Sequence, residues 1–243
     1  VTAALAAGVV ELLPASFEAA PRYTLQPDVV VRALGRTDYE LAWRAMRTFT
    51  DARASDTQDE IWLTEHPPVY TLGLAGRREH LKRANGIPVI KVDRGGQVTY
   101  HGPGQLVAYL MFDLRRLRLG IRDMVRKIEA AVIESLRVHA IEAYGRTDAP
   151  GVYVQRGETQ AKIAALGLRV RNGCTYHGLA FNVSMDLRPF SDIDPCGYPG
   201  LAVTQLADFG VRASVDEVGR DLAPRLARLL TERTGARSAP HAA

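Results

Sequence analysis

The sequence predicts an α/β protein of the α+β kind, a single mixed-sheet domain, on three observations. Short apolar runs recur at irregular intervals, a few long stretches carry a helical period, and no Ser/Gly-rich linker or internal repeat divides them. A length of 243 residues suffices to bury a full core without disulfide or metal staples. Apolar residues make up 47% and charged residues 24%, which excludes a collagenous, low-complexity or wholly disordered chain. The formal charge of +4, from 31 Lys and Arg against 27 Asp and Glu, does not mark a nucleic-acid binder but suits a protein that attracts acidic partners. No apolar run approaches the roughly 18 residues of a membrane span. Two cysteines cannot build the disulfide framework of a secreted domain, so a reducing cytoplasm is the expected setting.

Residues 1–27 are rich in Ala and Pro without a sustained period and read as an N-terminal extension outside the main fold. Their apolar start, Val1 to Val10, lacks a basic flank and is cut short by Glu11, so it does not read as a secretion signal. Val29, Val30, Val31 and Leu34 predict a strand, and Gly35 to Asp38 a turn. Tyr39, Ala42, Met46 and Phe49 then recur at helical spacing. Ile61 and Leu63 alternate with polar neighbours before the breaker Pro67-Pro68, and strand-like pieces follow at 69–72, 89–92 and 106–111. From Gly120 to Ala140 a helix is expected, with Ile121, Val125, Ile128, Val132 and Leu136 on its buried face and Glu129 off it. Strands are expected at 152–154, 162–170 and 174–185. Ser214 and Glu217 form a capping box for a last helix that Pro224 should kink or divide, and 234–243 read as a tail. The single domain is thus drawn from about 28 to 233. No strand leads into a GxGxxG turn, which excludes a doubly wound nucleotide-binding fold.

Three segments carry candidate chemistry. Between Asp93 and Gln105, four glycines stand among Arg94, Gln97, Val98, Thr99, Tyr100 and His101. Two turns around a hairpin strand would explain the glycines, but not an arginine, a histidine and two glutamines, so a ligand-binding loop is favoured. Lys162 opens an apolar stretch; it is either a strand end with its ammonium in water or a desolvated amine able to move protons. His177 reads equally as a core histidine. Cys196 sits in a loop between Pro195 and Gly197, unlike Cys174, whose strand position fits simple space-filling. A loop cysteine with a lysine and histidines on other segments suggests covalent acyl transfer, with the thiolate as nucleophile, the lysine as acid and base, and backbone amides for the oxyanion. A metal centre is disfavoured, because no CxxC or HxxxH spacing occurs.

Six segments in a fixed order resemble the lipoyl(octanoyl) transferase family: 65–73, 94–106, 151–154, 162–167, 177–182 and 195–197. With the sequence around them, the resemblance spans most of residues 29–206. It implies a fold similar to the catalytic domain of biotin and lipoate protein ligases. It also implies an enzyme that moves an octanoyl group from octanoyl-acyl carrier protein to a lysine ε-amine on lipoyl domains of 2-oxoacid dehydrogenases or on glycine-cleavage H protein. Carried over by position, Cys196 is the nucleophile and Lys162 its acid/base partner. Arg94, Gly95, Gly96, Gln97, Val98, Thr99, Tyr100 and His101, with Ala165, Leu166, Gly167, Gly178, Leu179 and Ala180, line the acyl site, and His177 supports it. Ala165 stands where some relatives have serine. The resemblance implies no cofactor, metal or nucleotide, and no nucleic-acid or membrane partner. The basic stretch Arg115, Arg116, Arg118, Arg122, Arg126 and Lys127 is either a solvated helix face or a docking patch for the acidic carrier protein. An ATP-dependent ligase, a thioester hydrolase and a non-catalytic carrier-binding module are the competing readings.

Overall fold

A computed structural model of the protein describes residues 13–25, 28–194 and 200–232. A helical turn, α1 (Ala15–Glu18), leads to β1 (Arg22–Leu25), which pairs antiparallel with β2 (Val29–Arg36). Helix α2 (Tyr39–Asp51) crosses to β3 (Asp59–Glu65), parallel to β2. Strands β4 (Val69–Leu72), β5 (Val89–Lys91) and β6 (Val98–His101) form a small separate sheet with β4 at its centre. There follow β7 (Gln105–Met111), α3 (Leu114–Leu117), α4 (Ile121–Arg137), β8 (Ala143–Gly145), β9 (Gly151–Arg156), β10 (Thr159–Arg171), β11 (Cys174–Asn182), β12 (Ala202–Val203) and α5 (Val215–Thr231). The large sheet runs β1-β2-β3-β7-β11-β10-β9-β8, with β12 parallel to β10 at its side. Parallel β2–β3 and β10–β12 pairs among antiparallel neighbours make it a mixed sheet, as the sequence predicted.

Alternation along the strands sends residues to two cores. Ile61, Leu110, Ile163, Leu179 and Phe181 meet the apolar stripes of α4 and α5 on one face. Trp62, Val107, Tyr109, Tyr176 and Ala180 meet Ala42, Ala45 and Met46 of α2 on the other. Helix α2 starts where Asp38 accepts the Leu41 N–H at 3.0 Å, and α5 starts with the predicted capping box.

Four expectations need correction. Residues 15–25 are not outside the fold: β1 extends the sheet, and Phe17, 1% exposed, lies edge-on to Trp62 at 5.3 Å. The sequence hid this because a four-residue strand and a one-turn helix show no period. In α4 the buried face is rotated, with Met124, Ile128, Ala131, Val132 and Leu136 inside and Ile121 exposed, while Glu129 is buried. Pro224 does not divide α5, which runs unbroken from Val215 to Thr231. It lies on the exposed side, as does Arg220, whose carbonyl loses its helical partner there. The third strand of the second half ends at Asn182, short of the expected Met185. No helix among the described residues is long and apolar enough to cross a membrane.

Candidate active site

A cleft of about 730 Å³, counting the solvent at its mouth, lies between the α2-side face of the large sheet and the small sheet. Its floor is set by register: Ala165 of β10 pairs with Ala180 of β11, and Gly167 with Gly178. Four small residues in a two-by-two block keep the floor low, while Val107 and Tyr109 of β7 border it. Arg94, Gly96, Gln97, Val98, Thr99 and His101 form the roof, and Phe190 and Val203 close one side. This shape suits an unbranched apolar chain.

Lys162 stands inside β10, not at its end, and is 3% exposed. A bulge between Lys162 and Ala164 puts Ile163 and Ala164 together in the helical core and leaves Lys162 facing the cleft. Its Nζ donates to the Pro150 carbonyl at 3.3 Å and lies 4.9 Å from the centre of the Tyr153 ring. The desolvated-amine reading therefore replaces the solvated one. Thr204 donates its N–H to the Lys162 carbonyl at 3.0 Å, and Val203 pairs with Lys162, so the segment that follows residues 195–199 is fastened to the lysine's own strand.

A polar network flanks the cleft around Asp93, His66 and His101. Asp93 accepts from Trp43 Nε1 at 2.8 Å, from the Tyr176 hydroxyl and from His177 Nε2 at 3.0 Å. Burial alone would raise its carboxyl, but those three donors hold it well below the usual carboxylate range. His177 takes a left-handed backbone, φ 59°, that lets its ring stack on Tyr176 and reach Asp93. Because a carboxylate only accepts, the ring proton sits on Nε2, and Nδ1 is a buried acceptor without a partner among the described residues. His66 Nδ1 donates to the Thr37 carbonyl at 2.6 Å, which leaves Nε2 to accept from the Tyr109 hydroxyl at 2.6 Å. His101 Nδ1 donates to Gln105 Oε1 at 2.8 Å, and Gln105 Nε2 passes the chain to Asn182 at 2.9 Å. Arg94 gives its guanidinium to the carbonyls of Thr71, Gln97 and Gly95 at 2.7–2.9 Å, so it braces the roof from within.

Burial lowers all three histidines: His66 to about 4, His101 well below its usual value, and His177 despite the opposing pull of Asp93. The unfolded chain protonates His66 near 6.5, whereas the folded chain resists until about 4. Folding stability should therefore fall as pH drops through that window, by about 3 kcal/mol from His66 alone. Asp93 adds a loss only in stronger acid, as pH falls toward its depressed folded value. Urea midpoints measured from pH 7 to pH 4 should decline steadily, with a flatter slope in His66→Gln; an unchanged slope would remove His66 as the cause.

Of the residues expected at the site, Arg94, Gly96, Gln97, Val98, Thr99, His101, Lys162, Ala165, Leu166, Gly167, His177, Gly178, Leu179 and Ala180 line the cleft. Gly95 and Tyr100 do not. Gly95 ties the roof loop to β10 through its N–H to the Leu168 carbonyl at 2.9 Å, and the Tyr100 ring packs 5.5 Å from Phe190 in the core of the small sheet. Cys196 lies in residues 195–199, outside the described residues. Cys174 is buried at the start of β11, as its space-filling reading required. Sequence reasoning missed Tyr39, Val107, Tyr109, Phe190 and Val203 as lining residues. Tyr39 and Val107 read there only as parts of apolar patterns. Among the described residues, no group of three or more His, Cys, Asp or Glu could hold a metal.

A two-sheet cleft with a buried lysine on its floor and a glycine- and histidine-bearing roof defines a class of catalytic domain. The chain belongs to the lipoyl protein ligase A/B catalytic domain family, whose model matches residues 38–227. Within it, the chain falls with the octanoyltransferases: that of Thiobacillus denitrificans is 59% identical over 84% of this chain and 92% of its own length. The fold is similar to lipoate-protein ligase A bound with ATP, at TM-score 0.66 and 20% identity, over 82% of this chain and 84% of that one. It is also similar to biotin protein ligase from Aquifex aeolicus, at TM-score 0.51 and 13% identity, over 84% and 70% of the two chains.

Proposed function

We propose that this chain transfers an octanoyl group from octanoyl-acyl carrier protein to a lysine ε-amine, through a thioester on Cys196, with Lys162 as proton carrier. The acceptors are lipoyl domains of 2-oxoacid dehydrogenases and glycine-cleavage H protein, and the setting is a reducing cytoplasm that keeps the thiol free. The carrying observation is Lys162 itself: an amine 3% exposed on the floor of a cleft whose other small, apolar floor residues suit an alkyl chain. Phe190 and Val203, which bracket Cys196 in sequence, both border that cleft, which supports the pairing of the two groups.

The steps balance as follows. The Cys196 thiolate attacks the thioester carbonyl while backbone amides hold the oxyanion. The carbon–sulfur bond to the carrier breaks, and the departing thiolate takes a proton from the Lys162 ammonium. The acceptor amine then attacks the Cys196 thioester and gives its proton to neutral Lys162, which restores thiolate and ammonium. Thioester exchange is nearly balanced and amide formation runs downhill, so ATP is not required. A ligase would need ATP, and a hydrolase would release free octanoate.

The carrier-protein surface is narrower than the basic stretch suggested. Arg116 is bound to Asp59 at 2.6 Å, Arg115 to Asp113 at 3.4 Å, and Lys127 caps α5 through the Leu229 and Glu232 carbonyls. The docking role falls to Arg122 and Arg126, which line a notch beside Pro150. For the reaction itself, intact-mass analysis after mixing with octanoyl-carrier protein should show an octanoyl adduct that is absent in Cys196→Ala. An adduct that persists in this variant would refute the assignment.

A further inference from the structure

Glu129 is a carboxylate that the sequence put on the wet side of α4, yet it is 8% exposed. Its Oε1 accepts the Gly151 N–H at 2.9 Å. A side chain on Gly145 would strike its Oε2 at 2.8 Å, so the carboxylate is wedged between β8 and β9, where glycines leave room for it. On the other side of the same backbone turn, the Pro150 carbonyl accepts from Lys162 Nζ at 3.3 Å. Gly151 has φ 147°, and a Cβ there would lie 3.0 Å from Lys162 Cε and 3.1 Å from Nζ. The lysine stem thus rests on the residue that Glu129 holds.

We propose that Glu129 is a positioning residue for the reaction: it clamps the Pro150–Gly151 turn that cradles the Lys162 amine, and its negative charge favours the ammonium form. This rests on the reading of Lys162 as proton carrier. Other groups facing the pair are Tyr153 of β9, whose ring lies on Nζ, and Arg146, whose guanidinium stands 5.4 Å from that ring and is paired to Asp148. Arg122 and Arg126, on Glu129's own helix α4, line the same notch, and Arg126 is shared with Asp123 at 3.5 Å. None of these described groups supplies a second negative charge beside the amine; the Cys196 thiolate of the proposed mechanism would, and it is the same in the native enzyme and in Glu129→Gln. Glu129 thus lines the same notch as Arg122 and Arg126, with the Pro150–Gly151 backbone between it and the lysine.

The test is octanoyl transfer by Glu129→Gln and Glu129→Ala across pH, with Lys162→Met as reference and thermal unfolding measured on each. Glutamine keeps the oxygen that accepts from Gly151 but removes the charge. The ammonium form is then lost at lower pH, and the alkaline limb of kcat should move down by about two pH units, the scale of one unit charge several Å away at an effective dielectric near 20. KM for the carrier protein should not change. Alanine also removes the clamp and should lower kcat at the optimum by a further tenfold or so. A Glu129→Gln profile that superimposes on the native one overturns the proposal, and this outcome can be read even if Glu129→Ala fails to fold. Full activity in Lys162→Met would instead overturn the parent reading.

Discussion

Lys162→Met should cut octanoyl transfer by about 10²- to 10⁴-fold, the usual contribution of a positioned acid or base. Methionine keeps a flexible stem of similar length, so packing on Tyr153 survives and the loss isolates the amine. Both half-reactions should slow. On the proposed mechanism, acylation would lose the cation that favours thiolate and protonates the departing carrier thiolate, and aminolysis would lose the base that takes the acceptor's proton. Single-turnover measurements on octanoyl-carrier protein, and separately on preformed acyl-enzyme with a lipoyl domain, read the two steps. A near-native rate in both, with an unchanged melting temperature, would strike Lys162 from the mechanism.

The second large effect is structural. Gly178→Ala should destabilise the fold by on the order of 4 kcal/mol or more, and activity should vanish with it. A Cβ at this position would stand 2.0 Å from the Ala108 carbonyl oxygen and 3.0 Å from its carbon. Both atoms are backbone of β7, the strand between β3 and β11, so no side-chain rotation relieves the clash. The strands must separate at the cleft floor, which breaks the ladder that also fixes Tyr109. Gly157→Ala is the contrast: φ is +58° and nothing among the described residues lies within 4 Å, so the cost should be only the 1–2 kcal/mol or so of left-handed backbone. Urea titrations of the two variants should differ clearly; equal midpoints would show that the sheet accommodates the methyl.

Much of this architecture was legible in the amino-acid order because long elements advertise their period. Tyr39, Ala42 and Met46 marked α2, and the Ser214–Glu217 box marked the start of α5. The roof segment stood out because its glycines and polar groups are dense in sequence, whereas the floor residues Ala165 to Gly167 and Gly178 to Ala180 came only from the family resemblance. What stayed hidden depends on distance. Glu129 looked like a solvated helix residue until β8 and β9 closed over it. The roles of Tyr109 and Asp93 come from partners tens of positions away, which no local pattern encodes. Phe17 and β1 joined the body through side-chain fit, with too few residues to display alternation. Tyr100 shows the reverse error: strand parity turned a residue of the roof segment into the small-sheet core.

The convergence on Asp93 has an optical consequence. The chain has two tryptophans, and both indoles donate to a carboxylate: Trp62, sealed in the core, to Glu60, and Trp43 to Asp93, which also holds His177 at the cleft wall. Indole emission responds to the field and hydration around its N–H. Trp43 is therefore a native fluorophore wired to the substrate channel, and Trp62 supplies a constant background against which filling and emptying of that channel can be followed without a label.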